Sequence, residues 1–178
     1  MRKIVCFTIA IMLLISATAS ESSVSYVTHF NSQPYLGTWY EVARLPFGFE
    51  KNCVSPITAH YDINPKNIKE ILVTNTCAKK QGGFDVAHGV AHFVISPTIG
   101  KLKVTFLPTY LRWLTFGYGA YWILSTDYTH YALVGNPNHR YLWILYRSNT
   151  ITHKELNALV LLAKSQGFNT DNLIVNNS

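Results

Sequence analysis

The chain is poor in charge. Only 13% of its 178 residues are Asp, Glu, Lys or Arg, and the basic ones form no block. Nucleic-acid binding needs a basic stripe with aromatics set within it, so that class of partner is excluded. Catalytic signatures are also missing. There is no GxSxG, HExxH, CxxC or glycine-rich phosphate loop, and the acids are scattered. His88 and His92 share one strand face, but four residues along a strand separates them by roughly 13 Å, too far for one metal. No metal site, cofactor or catalytic residue is expected, and the chain reads as a binding protein, not an enzyme.

Long apolar runs are absent with one exception. Ile4 to Ile15 follows Arg2-Lys3 and precedes Ser16-Ala17-Thr18-Ala19-Ser20. A basic start, a short apolar run and an Ala-x-Ala site mark a secretory signal peptide. The run is too short to span a bilayer comfortably. Residues 1–19 are therefore expected to be a signal cleaved after Ala19. Losing Arg2 and Lys3 lowers the formal charge from +6 to about +4. A lipid anchor would require a cysteine directly after cleavage, where Ser20 stands, so a periplasmic or secreted protein is expected.

Cysteine is scarce too: Cys6 leaves with the signal, and Cys53 and Cys77 remain. Two cysteines in an exported chain suggest one disulfide. Short strand signals recur at 38–44, 54–63, 69–77, 84–95, 101–107, 119–126, 130–134 and 141–147, punctuated by Gly, Pro and Asn. With a hairpin turn at Asn64–Asn67, Ile63 faces Ile68, and the two cysteines fall one position off register. A small bulge would bring them within bonding reach, for about 3 kcal/mol of stabilisation. Residues 20–33 are polar and expected to be a mobile lead-in, ahead of one domain at 34–178.

One helix follows the strands. Thr152-His153-Lys154-Glu155 is a capping box, Leu156, Leu159, Val160 and Ala163 share a face, and Gly167 ends it. An extended piece, Asn172 to Val175, comes last. The tail also carries the sequon Asn176-Asn177-Ser178.

Alternation along strands sorts the side chains. Trp39, Glu41 and Ala43 point one way, and Tyr40, Val42 and Arg44 the other. Ile57, Ala59, Tyr61 and Ile63 group together, as do Ile71, Val73, Asn75 and Cys77. Leu102, Val104 and Phe106 oppose Lys101, Lys103 and Thr105. Ala120, Trp122 and Leu124 form another row, and Trp143, Leu145 and Arg147 a fifth. Eight strands give a barrel that either fills with side chains or holds one small ligand; parity alone leaves both open.

Three segments resemble the signatures of the lipocalins: Gly37-Thr38-Trp39-Tyr40-Glu41, Thr126-Asp127-Tyr128, and Arg147 at the end of the last long strand. Tyr35 to Arg44, Tyr121-Trp122-Ile123-Leu124 and Tyr141 to Leu145 are similar to the bacterial outer-membrane lipocalins and apolipoprotein D. The resemblance implies an all-β, eight-stranded antiparallel up-and-down barrel, a calyx, with one C-terminal helix packed outside. It places Gly37, Trp39 and Arg147 in a structural contact at the closed end, the guanidinium on the indole. It makes Tyr61, Val73, Asn75, Phe106, Trp122, Trp143 and Leu145 the expected ligand contacts.

The implied function is transport or storage of a small hydrophobic ligand, a fatty acid or lysophospholipid, with a role in envelope lipid maintenance. An enzyme in the same cup would have to use Glu41 and Tyr61; an interaction module would dock a partner through the open end. The connection from Leu107 to Tyr118 is long and apolar. Phe47, Phe49, Leu111, Trp113, Leu114 and Phe116 are expected around the open mouth. They would serve there as a lid, a dimer contact in a homodimer, or a peripheral membrane contact.

Overall fold

A computed structural model of the chain describes residues 23–176. The expected signal peptide and its cleavage site lie outside them. Eight antiparallel strands run up and down: β1 (Gly37–Arg44), β2 (Cys53–Ile63), β3 (Glu70–Lys79), β4 (Phe84–Phe93), β5 (Lys101–Thr105), β6 (Gly119–Thr126), β7 (Tyr131–Gly135) and β8 (Leu142–Tyr146). β1 pairs with both β2 and β8, so the sheet closes into a barrel. A short helix α1 (Ser32–Tyr35) precedes β1, helix α2 (His153–Ser165) follows β8, and a two-residue strand β9 (Ile174–Val175) pairs with the far end of β1.

The closed end is built on Trp39, which is fully buried. Arg147 lies over its indole at 3.6 Å from the ring centroid. The guanidinium donates to the carbonyls of Pro34 at 2.7 Å, Thr38 at 2.9 Å and Tyr128 at 3.2 Å. The indole N–H in turn donates to Tyr35 O at 2.8 Å. One planar cation thus stacks on the ring and ties three backbone segments, a geometry a lysine cannot copy. Gly37 makes the entry possible, with φ of +89° in the left-handed region that favours glycine.

The β2–β3 hairpin differs from the expected register. Ile63 pairs with Ile71, not Ile68, because the turn is longer. Asn64 N–H reaches Glu70 O, while the Asn64 and Asn67 side chains both donate to the Glu70 carboxylate. A register shift between Val54 and Ile57 then offsets the strand at its upper end. Cys53 and Cys77 are consequently not cross-strand partners, yet their Cα atoms lie 5.5 Å apart and the disulfide is formed.

Two further departures come from the strands that carry the interior. Val42 is an extra residue in β1, so Glu41 pairs with Leu145 but Ala43 pairs with Ile144 and Arg44 with Trp143. The bulge reverses the alternation: Ala43 faces outward and Arg44 inward. In β6, Trp122 pairs with Lys101 and Tyr121 with Leu102. Tyr121 and Ile123 therefore line the interior, and Trp122 and Leu124 face outward. Trp122 is held there by Lys101 Nζ, 4.1 Å from its ring, and by the edge of Tyr26 at 5.6 Å.

The described part of the lead-in, from residue 23 on, packs against the barrel. Phe30 is buried among the closed-end side chains, and Val24 in the cluster under α2. Val27 bridges two strands, donating to Ile123 O and accepting from Gly100 N. Polar residues alternate with these anchors, which hides the three apolar contacts in an average. Outside the barrel, α2 starts with the expected capping box and buries Leu156, Leu159 and Ala163 against the sheet.

Removing the stacked pair should destabilise before it alters binding. Trp39→Ala is expected to cost about 3–5 kcal/mol, and Arg147→Lys to recover little of the loss seen in Arg147→Ala. Thermal melts followed by circular dichroism check this. An Arg147→Lys protein as stable as wild type would contradict the stacking account.

Candidate ligand site

The lower half of the interior is filled. Trp39, Tyr61, Ile71, Val73, Ala91, Leu102, Ile123, Val134 and Leu145 are all buried there. At the centre of this floor three phenols form a chain: Tyr121 hydrogen-bonds to Tyr35 and to Tyr61, each at 2.8 Å. Burial holds the hydroxyls of Tyr35, Tyr61 and Tyr121 above the usual phenol range, so they stay neutral. Tyr35 and Tyr121 were not among the expected contacts. The aromatic row Tyr35, Tyr61 and Tyr121 converges only once the β6 register is known.

Above the floor, Asn75 projects from β3, opposite Ala59 of β2 and Ala87 of β4. Its Oδ1 is buried with no hydrogen-bond partner among the described residues. Such an atom costs about 1–3 kcal/mol unless something donates to it. Phe106 lies just beyond β5 with its ring over Gly89, where a Cβ would come within 2.8 Å of the ring carbons and of Thr105 O. Trp143 closes the β8 side, edge-on to Phe47 at 5.4 Å.

Of the expected ligand contacts, Tyr61, Val73 and Leu145 are thus floor, while Asn75, Phe106 and Trp143 stand above it. Trp122 is not in the cup at all. Its parity partner across β5 could not be seen in the sequence, because the long connection before β6 conceals the register.

The Val42 bulge creates a feature that alternation alone concealed. Arg44 and Glu41, both nearly fully buried, meet on the inner wall. Arg44 Nη1 donates to Glu41 Oε1 at 3.1 Å, its Nε lies 2.8 Å from Glu50 Oε2, and Nη2 donates to Glu50 O at 3.0 Å. Asn176, just after β9, donates from Nδ2 to Glu41 O and to Glu41 Oε1 at 2.7 Å. The sequon nitrogen is therefore spent inside the fold.

Two carboxyls share one guanidinium here. Burial pushes the Glu41 carboxyl from the ordinary 4.5 up to about 8, with Glu50 beside it adding to the rise and Arg44 opposing it. Burial raises Glu50 as well, against Arg44. The pair titrates together and retains a proton near neutrality. Glu41 and Tyr61, the pair an enzyme would need, belong to separate networks: Glu41 to Arg44 and Asn176, and Tyr61 to Tyr121.

The apolar residues expected at the mouth divide. Phe47 is half-buried against Tyr141 and Trp143. Phe49, Trp113 and Phe116 are exposed by 89%, 76% and 82%, and Leu111 and Leu114 are half-buried. Tyr118 lies beside His92 on the outer face, the rings 5.7 Å apart and tilted by 55°, with Lys103 Nζ 4.8 Å from the Tyr118 ring.

The cluster has a pH signature. Folding retains a proton on Glu41 that the unfolded chain releases above its ordinary value. That stabilisation is complete at low pH and is lost as pH rises through about 8. The melting temperature should fall between about pH 5 and about pH 8.5, and Glu41→Gln, which mimics the protonated acid, should flatten the slope. A wild-type protein that grows more stable across that interval would contradict the assignment.

Comparisons with known proteins fall on one family. The chain matches the lipocalin-like domain over residues 30–178. Outer membrane lipoprotein Blc of Vibrio cholerae is 36% identical over 166 residues, 92% of this chain and 91% of that one. Apolipoprotein D of Mus musculus is 29% identical over 153 residues, 82% of this chain and 75% of that one. Among solved structures, insecticyanin of the tobacco hornworm Manduca sexta aligns with a TM-score of 0.66 at 23% identity, over 87% of this chain and 84% of that one.

Proposed function

The chain belongs to the lipocalin family, and on that footing we propose that it carries or stores a fatty acid or lysophospholipid in the upper half of its barrel. The observation that carries this reading is the buried, unpartnered Asn75 Oδ1 among apolar walls. An amide so placed suits an amphiphile whose hydroxyl or protonated carboxyl donates to it, while the chain lies along Phe106, Trp143 and the floor residues Val73 and Leu145. Apolar burial at about 25 cal/mol per Å² would supply most of the affinity, and Asn75 the orientation.

The inner wall narrows the head-group chemistry. Glu41 and Glu50 already face Arg44 with two carboxyls, so a third, ionised carboxylate at that level would meet like charge. A lysophospholipid entering chain-first keeps its phosphate at the rim and offers a glycerol hydroxyl to the interior.

The working compartment lies outside the cytoplasm. The Cys53–Cys77 disulfide supports this, since such bonds persist in oxidising surroundings. So does the likeness to an outer membrane lipoprotein. A part in envelope lipid maintenance is the role that likeness supports.

Tryptophan-quenching titrations with lysophospholipids and fatty acids test the reading. Asn75→Leu should weaken binding by about 5- to 10-fold while raising the stability of the empty protein, because it removes an unpaired acceptor. Trp122→Ala should leave affinity unchanged. Failure of both lipid classes to bind, or a loss confined to Trp122→Ala, would overturn it.

A further inference from the structure

Exposed aromatics are segregated on this molecule. Among the described residues, the large exposed aromatics are Phe49, Phe84, Phe106, Tyr110, Trp113 and Phe116. All six belong to the open end, in its loops or at the strand ends that lead into them. The exposed apolar residues at the closed end, Ile68, Val94 and Ile95, are aliphatic. Aromatic side chains are the ones that settle at the boundary between lipid and water.

The loop bearing most of them is ordered by its own bonds. Arg112 Nε donates to Leu107 O at 3.1 Å, and Tyr118 O–H donates to Arg112 O at 3.0 Å. Leu111 N–H and Leu114 N–H close successive turns onto Pro108 O and Leu111 O. These bonds tie the loop to itself while Tyr110, Trp113 and Phe116 stand exposed. An isolated flexible loop would instead lose entropy on docking.

Charge at this end points to the partner. The four open-end loops, residues 45–52, 80–83, 106–118 and 136–141, contain Lys51, Lys80, Arg112 and Arg140. Their one acid, Glu50, is turned inward onto Arg44. Where β1 and β2 part, a cleft of about 650 Å³ opens, lined by Lys51, Lys80, Phe47, Val54, Ile174 and Val175 among others. Two lysines on a cleft that also has apolar lining match a phosphate on an acyl chain.

We propose that the open end docks on an anionic phospholipid bilayer, with Trp113 and Phe116 entering the interface and a lipid phosphate held between Lys51 and Lys80. The inference is independent of Asn75 and of what the calyx holds. It places the mouth of the cup against the phase from which an amphiphile would come.

Cosedimentation with vesicles tests it. The protein should bind vesicles of phosphatidylcholine with one-quarter phosphatidylglycerol at least tenfold more tightly than pure phosphatidylcholine, and 0.5 M NaCl should reduce the difference. The double variant W113S/F116S should lose at least tenfold in partitioning, and K51A/K80A should lose the preference for phosphatidylglycerol. Both variants should keep wild-type melting temperature and ligand affinity. Equal binding to the two compositions, no binding to either, or variants that partition like wild type would overturn the proposal. So would light scattering that shows a dimer abolished by W113S/F116S, since the face would then belong to a second copy.

Discussion

The fold depends on one contact between a buried ring and a half-buried cation. Trp39 gives the barrel an apolar floor, and Arg147 spends its fixed donors on Pro34, Thr38 and Tyr128. The chain segments joined there are far apart in sequence: the entry to β1, its first residues, and the β6–β7 turn. Stacking supplies the attraction and the planar fork supplies the direction, so the contact fixes where the first strand begins relative to the last.

A single inserted residue, Val42, then divides the first strand into two parts with opposite facing. Below it Trp39 and Glu41 look inward; above it Arg44 does. Without the bulge Arg44 would point to water, and Glu41 would be a lone buried acid. With it, Arg44 joins the β1–β2 loop through Glu50 to Asn176, just after β9, through Glu41. The network fills the gap left where β1 stops pairing with β2, and burial there holds both carboxyls above their ordinary range. Buried charges of this kind stabilise little by themselves, but removing one partner strands the others.

Much of this was legible in the sequence. The alternating rows in β2, β3 and β5, the capping box at Thr152, and the Gly37-Thr38-Trp39 start with Arg147 at the far end led to the barrel, its helix and its closed end. What alternation could not reveal was any event that changes the count. The Val42 bulge, the lengthened Asn64–Glu70 turn and the hidden register of β6 each move a side chain to the other face or a partner along the strand. Trp122 was misplaced for that reason, and Arg44, Glu50 and Tyr121 were missed. The Cys53–Cys77 pairing survived because two offsets, one in the turn and one near Pro56, nearly cancel. The packed stretch around Phe30 escaped notice because three anchors among polar residues leave no period to detect.

The central claim is that an acyl chain lies inside the upper barrel, above the tyrosine floor. Paramagnetic broadening in the NMR spectrum of protein loaded with a doxyl-labelled lysophospholipid tests it most directly, with the nitroxide placed near the chain end. The account requires strong broadening of the amide signals of Val73, Asn75, Ala87 and Leu145, with those of helix α2 spared. Broadening confined to the outer loops or to α2, with Val73 and Leu145 untouched, would show that the lipid rides on the surface and that the cup is merely a filled core.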